Sequence, residues 1–459
     1  MSWWWRSLGL AMLMLLAACG GSGVESAGDA AESVEPEGEQ IASEQVENEE
    51  AEPTPPPTTT AAPDPTTAPE PTPTPEPTPI PEPAWTQIAD DAPWGRRAGL
   101  RVVELNGSLL LLGGRTPRNS TLPGDSDIFS DVWRSDDLGA TWELALESGG
   151  DHWSPRAYFQ AVLLGDEIIV LGGQDYGLMP NPFCELLEQG FEPPPSLGID
   201  PDAPCPEFLP TSNFFNDVWA SSDGITWEQR TVDAPWTPRA GLSAVALDGY
   251  VYVLGGSLND DSALIGPNGP VRLYSNDVWR SADGAEWELM TDDAPWEPRA
   301  GASLVAWDDA LWLFGGEDGF VCEPVETCIP PYFNDVWRSV DGATWELVSE
   351  AAAWSPRPGH QCEVLGPEVV CFGGFGLIEN PDDVQVTTDG IGWELLDDPA
   401  WNAADHTAVK YDFESIAVET DFGPIVLTFG GDRETFDFSD PDNWLRVDSD
   451  VWRFVLPTD

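Results

Sequence analysis

Five arginines recur at matched positions in this chain, Arg97, Arg156, Arg239, Arg299 and Arg357, each following a tryptophan, with Ala404 interrupting the series at a sixth place. Guanidinium groups gathered around one axis could hold a carboxylate or an anionic sugar through paired donors. The competing role is internal. Aspartates recur in step with the arginines, at Asp131, Asp217, Asp277 and Asp335, and because both partners repeat together, the tying of neighbouring modules is the preferred reading. The tryptophans before the arginines divide the same way between stacking on sugars and packing between modules, and packing is preferred. Three histidines are present: His152, His360 and His406. His360 and His406 fall at corresponding places in two successive repeats, where a satisfied or solvent-facing imidazole is the ordinary reading. Glycosidase chemistry needs a positioned acid and nucleophile, and with 81 Asp plus Glu no carboxylate pair can be nominated.

The elements that must position these residues are repeats. Gly-Gly pairs begin at Gly113, Gly172, Gly255, Gly315, Gly373 and Gly430, a spacing near the roughly 50 residues of a four-stranded unit with loops added. The clearest copy runs from Trp236 to Trp287: an Arg-bearing turn, a hydrophobic run ending in Gly-Gly, an Asp-Val-Trp strand, and an Asp-Gly turn into a last Trp. Two-residue turns such as Asn106-Gly107, Gly165-Asp166 and Asp248-Gly249 break the hydrophobic alternation before each Gly-Gly, so each copy reads as four short antiparallel strands. Most of the 23 tryptophans fall in register with the repeat, whereas Gln385 stands where the fifth copy should hold a strand-three Trp. The sixth copy ends at Asp450–Phe454 without a fourth strand, and Ala84–Gln87 has the pattern of an orphan fourth strand. Pairing of the two would close the ring and remove exposed sheet edges.

These motifs resemble the kelch-repeat family, which includes galactose oxidase-like enzymes. The resemblance covers about residues 84–459 and implies an all-β fold: a six-bladed kelch-type β-propeller closed by the N-terminal strand. Ser135–Trp142 is similar to the Asp-box of sialidases, a structural hairpin that implies fold and not hydrolysis. Galactose oxidase-like chemistry implies copper held by two His and two Tyr, one of them cross-linked to Cys; with three histidines and every cysteine otherwise explained, that activity is not expected here. In propellers of this type the connections between strands two and three share a face with the Arg-bearing turns, and long insertions here fall in those connections, among them Gln174–Phe215 and Asp432–Ser449. Variable loops on a rigid scaffold carry binding.

Residues 1–19 resemble an exported lipoprotein signal: Arg6, an apolar run Leu8–Leu16, then Leu16-Ala17-Ala18-Cys19, with Cys19 as the expected lipidated residue. From Gly20 to Pro83 the chain has no Lys or Arg, many Glu, and a Thr-Pro-Glu tract; such a composition buries no core and reads as a disordered acidic and Pro-rich stalk over 20–83. The formal charge is −62 and Lys410 is the only lysine, which argues against nucleic acid and against anionic surfaces and leaves solubility or a cationic partner as its meaning. Acidic loops starting at Gly124 and Asp437 could hold calcium, but neither has a full ligand loop; no other metal or cofactor is expected. Six cysteines form three local pairs. Cys362 and Cys371 face each other across the Gly366-Pro367 hairpin, Cys322 and Cys328 bracket a short loop, and Cys184 and Cys205 bracket the largest insertion, as expected of disulfides in an oxidising compartment.

The reading is a monomeric, lipid-anchored binding module of the bacterial cell envelope, displayed outside the cytoplasm, whose loop-rich face takes a glycan or protein. The five arginines with His360 and His406 are the candidate ligand contacts. The alternative is an extracytoplasmic carbohydrate-active enzyme, galactose oxidase-like or glycosidase-like.

Overall fold

The computed structural model describes residues 84–119, 125–181, 184, 189, 205, 207–258, 273–319, 331–377, 379–421, 423–434 and 443–456. The expectations for the signal segment with Cys19, for the stalk and for the Cys322–Cys328 pair lie outside these residues, as do parts of the acidic loops. No helix among the described residues is long and apolar enough to cross a membrane.

The described residues begin with strand β1 (Ala84–Ala89). Blade one follows as β2 (Arg101–Leu105), β3 (Ser108–Pro117), β4 (Ser126–Ser135) and β5 (Glu143–Leu146). Blade two is β6 (Gln160–Leu164) and β7 (Glu167–Leu171), then a separate hairpin β8 (Gln174–Pro180) and β9 (Phe208–Phe214), then β10 (Val218–Ser221) and β11 (Glu228–Thr231). Blade three is β12 (Ser243–Leu247), β13 (Tyr250–Leu254), β14 (Val278–Ser281) and β15 (Glu288–Thr291). Blade four is β16 (Ser303–Trp307), β17 (Ala310–Glu317), β18 (Tyr332–Ser339) and β19 (Glu346–Ser349). Blade five is β20 (Gln361–Leu365), β21 (Glu368–Phe372), β22 (Val384–Thr387) and β23 (Glu394–Leu395), and β24 (Glu414–Thr420), β25 (Gly423–Asp432) and β26 (Val447–Val455) begin blade six. The molecule is thus a six-bladed β-propeller of four-stranded antiparallel sheets, and β1 supplies the missing outer strand of blade six.

That closure is antiparallel, with Trp85 opposite Phe454 and Thr86 opposite Arg453. Trp85 is buried against Phe372, Trp401 and Phe454 with ring centroids 4.9–5.4 Å apart. The first hairpin turn has positive φ at both central residues, Asn106 at 54° and Gly107 at 83°, the backbone twist that tight antiparallel connections need. Alternating residues of each strand point to opposite sheet faces, and each face lies against a neighbouring blade. One apolar cluster therefore forms at each of the six blade boundaries. Between blades one and two, for example, Val103, Leu105, Leu110 and Leu112 meet Phe159, Ile168 and Val170.

The tryptophans before the arginines serve this packing. Trp236 meets Trp287 edge-on at 5.9 Å, Trp296 meets Trp345 at 5.9 Å, and Trp153 meets Trp227 at 6.0 Å. The Cys362–Cys371 disulfide joins directly opposed residues of β20 and β21 with Cα atoms 4.1 Å apart, and Cys184–Cys205 has Cα atoms 5.6 Å apart. Both suit an oxidising compartment. Because β1 adds a whole outer strand and an aromatic anchor, Trp85→Ala should cost about 3–5 kcal/mol of stability, read as a lowered denaturation midpoint in urea.

Candidate functional site

The repeated arginines are built into the blades. Arg97, Arg156, Arg239, Arg299 and Arg357 are each exposed by 3% or less. Their guanidinium groups pair with Asp131, Asp217, Asp277, Asp335 and Asp383 at 2.5–2.8 Å. Each also donates, at 2.8–3.1 Å, to the carbonyl of the first glycine of its own Gly-Gly pair. Positive φ at both glycines, 63° and 96° at Gly255 and Gly256, turns that carbonyl toward the arginine, a conformation that suits glycine. A Cβ on Gly255 would lie 2.7 Å from the Arg299 carbonyl oxygen. The paired aspartates accept a further bond from the strand-three indole, as in Trp279 Nε1 to Asp277 at 2.8 Å. Burial pushes the Asp277 carboxyl up, but the bonds and charge of Arg239 with the Trp279 bond outweigh it and leave the group below the usual carboxylate range.

Blade six corrects the sequence reading. The residue equivalent to the five arginines is Lys410 and not Ala404. Lys410 is 3% exposed and forms an ion pair with Asp450, the strand-three aspartate of its blade. Its carbonyl accepts from Gly374 N at 2.9 Å, just as the Arg357 carbonyl accepts from Gly316 N at 3.1 Å. An insertion carrying the 3-10 turn His406–Ala408 separates Trp401 from Lys410, and this hid the match. His406 consequently sits on the insertion, half-buried, while the residue equivalent to His360 is Phe413. The two histidines do not occupy corresponding places. Gln385, the apparent exception in strand three, donates its amide to Asp383 at 2.9 Å and so replaces the indole N–H.

Two further circles are made by the main chain. The second glycine of each pair donates to the Arg or Lys carbonyl of the next blade, and the series closes from Gly431 N to Arg97 O at 3.0 Å. Around the axis, Gly99, Tyr158, Gly241, Gly301, Gly359 and Asp412 form a ring in which each N–H donates to the preceding blade's carbonyl at 2.9–3.1 Å. All six ring residues have positive φ, including the non-glycines Tyr158 at 55° and Asp412 at 49°. Two residues on, a belt of side chains repeats the linkage. Arg101 Nε reaches Phe159 O at 2.7 Å, Gln160 reaches Leu242 O at 2.6 Å, Ser243 reaches Ala302 O at 2.7 Å and Gln361 reaches Phe413 O at 2.9 Å. Ser303 accepts from Cys362 N and Glu414 accepts from Val102 N, completing the belt.

Ring and belt line a channel cavity of about 350 Å³. Its side at blades five, six and one holds Glu363, Glu414, Ser415 and Arg101. Glu414 is ion-paired with Arg101. Glu363 accepts from Ser415 Oγ at 2.5 Å and from Ala417 N at 3.1 Å. Burial, reinforced by the nearby Glu414 charge and opposed by the Ser415 bond, raises Glu363 to about 7. These channel groups were not singled out from the sequence; their departure from the valine or isoleucine that the inner strands hold at the Glu363 position was the available signal. Among the described residues, no three His, Cys, Asp or Glu side chains converge as metal ligands.

No family model matches the chain. A stretch of 158 residues, 33% of the chain, is 31% identical to the dynein alpha chain of the flagellar outer arm of Chlamydomonas reinhardtii. The match spans about 3% of that relative's length.

His360 carries the clearest consequence for pH. It is 3% exposed, sits beside the Trp354 ring at 5.3 Å, and has no well-formed bond at either nitrogen. Burial and the Arg357 charge, against a weak opposing pull from the Arg357 carbonyl, lower it from 6.5 to about 3. The folded state holds it neutral while the unfolded chain takes up a proton below 6.5, so stability falls as pH drops from 6.5 toward 3, by about 1.4 kcal/mol per unit. His360→Leu, the residue found at this place in blades one and three, should remove that slope, raising the thermal midpoint at pH 5 more than at pH 8.

Proposed function

We propose that the chain is a kelch-type propeller that works as an interaction module, anchored through Cys19 at a bacterial envelope surface and presenting its loop-bearing face to a protein or glycan. The observation that carries this reading is the β8–β9 ribbon. It leaves blade two directly after the Gly172-Gly173 pair, at the end of the blade where the axial ring lies, and forms a two-stranded sheet of its own, bridged at its base by Gln174 to Ala157. On one of its faces Leu178 stands opposite Pro210 and Pro180 opposite Phe208; Leu178 and Phe208 are 54% and 43% exposed. An apolar patch held out on a paired ribbon and flanked by polar groups is the form of a recognition surface. The repeated arginines contribute to it as scaffold, since their guanidinium groups are engaged within the blades.

Glycan-array binding and surface cross-linking of the displayed protein test this reading when wild type is compared with a Leu178→Ser, Phe208→Ser double variant. Expected is a drop of about tenfold or more in captured signal with an unchanged thermal midpoint, because neither side chain belongs to a blade core. Capture that survives the double variant would move recognition off this ribbon. The anchor is tested separately: radiolabelled acyl chain should attach to the wild type and not to Cys19→Ser.

A further inference from the structure

Six copies of one blade in a single chain provide an internal control for what the scaffold needs. At the third position of the inner strands stand Val103, Val162, Val245, Val305 and Ile416, and in blade five Glu363. The residue that receives the Glu363 carboxyl, Ser415, occupies a place held by Val102, Ala161, Ala244, Leu304 and Cys362 in the other blades. In the axial ring, Asp412 takes a place that is glycine in four blades. These polar exceptions fall together on one wall of the channel cavity, at blades five and six, whereas the wall at blades three and four is uncharged, from Gly241 and Ala244 through Val245, Leu304 and Val305 to the belt serines. Propeller geometry does not ask for a carboxyl at an inter-blade apolar position, and burying one without a cation is costly.

We infer that the cavity is a binding site for a small organic ammonium ion, whose charge is received by Glu363 and whose carbon face lies on the uncharged wall. The volume, about 350 Å³, is at the lower end of the roughly 300–1,000 Å³ range of small-molecule sites. Arg101 is the one basic side chain among the lining residues besides His360, and it is bonded to Glu414, which leaves the Glu363 carboxyl without a cationic partner. The groups around Glu363 are consistent with that role. Glu414 on β24 faces it, β16 contributes uncharged Ser303 and Val305, and β21 places Val370 opposite it. With no metal-type cluster among the described residues, a single-carboxyl site favours an organic cation over a divalent metal. Burial is what raises Glu363, and an entering positive charge would favour its ionised form.

Calorimetric titration of the full chain with ethanolammonium and choline, with glycerol and potassium chloride as controls, tests the assignment. Expected is binding of an ammonium probe at pH 8, about tenfold weaker at pH 6 because Glu363 must first lose its proton, and no comparable binding of glycerol or potassium. Glu363→Val, which restores the residue of the other blades, should abolish binding while raising the thermal midpoint at pH 8, so a loss of affinity is not a loss of fold. Glu363→Gln, which keeps the shape, should also lose binding. Absence of heat with both ammonium probes, equal binding of glycerol or potassium, or undiminished affinity in the valine variant would each overturn the assignment.

Discussion

The circle depends on one basic residue per blade that is bonded in two directions. Its side chain holds its own blade together: each arginine joins the strand-three aspartate to the carbonyl of the first glycine, and Lys410 pairs with Asp450 and Asp448; its main-chain carbonyl accepts from the second glycine of the blade before it. A buried ion pair alone is weak evidence of stability, since desolvation opposes the attraction. Here the surrounding groups change that balance, because the same aspartate also accepts an indole or amide N–H, and in Arg97, Arg156 and Arg299 the guanidinium lies over a phenylalanine ring at 4.2 Å. These bonds are directional, so they fix the orientation of the turn within its blade while its main-chain carbonyl ties it to the neighbouring blade, which apolar packing, being non-directional, would not do.

A closed ring also makes the first and last strands of the propeller structurally expensive to lose. β1 is distant in sequence from β26, so their pairing carries the loop-closure entropy of the whole domain. The contacts that offset it are concentrated in Trp85 and in main-chain bonds such as Arg97 N to Asp448 O at 3.0 Å and Ala92 N to Ser449 O at 2.9 Å. The ring of positive-φ residues around the axis acts at the other extreme of scale, joining each blade to the next through single short bonds that no side chain can replace.

Much of this was legible in the sequence because the repeat was spelled in residues with narrow physical uses: glycine pairs for positive φ, aspartate and tryptophan as a bonded couple, and turn dipeptides at fixed offsets. What escaped did so for identifiable reasons. Lys410 lies beyond an insertion that breaks the usual distance from its tryptophan, and the charge it carries is the same while its residue type differs. Gln385 was visible as an exception, but the equivalence of an amide N–H with an indole N–H shows only when Asp383 is seen to accept it. The hairpin β8–β9 lies inside what reads only as a long insertion, since its Pro and Gly content masks the alternation. The two main-chain circles leave only glycines as their trace in the sequence, and a glycine does not say where its N–H is bonded.

Departures from the blade pattern therefore fall into two kinds. Lys410 and Gln385 change residue type and keep the bond, which marks them as substitutions the scaffold tolerates. His360, Glu363 and Asp412 change the chemistry. His360 puts an imidazole with no well-formed bond where blades one to three hold leucine or phenylalanine, and Glu363 puts a carboxyl where the others hold valine or isoleucine. Burial opposes ionisation of both. Their titrations pull in opposite senses: the histidine weakens the fold as pH falls below 6.5, and the carboxyl weakens it as pH rises from 4.5 through about 7. A scaffold that could hold Leu and Val at these places carries both burdens on one inner strand, β20, and the residue just before it, and strain of that kind is characteristic of places where a protein does more than fold.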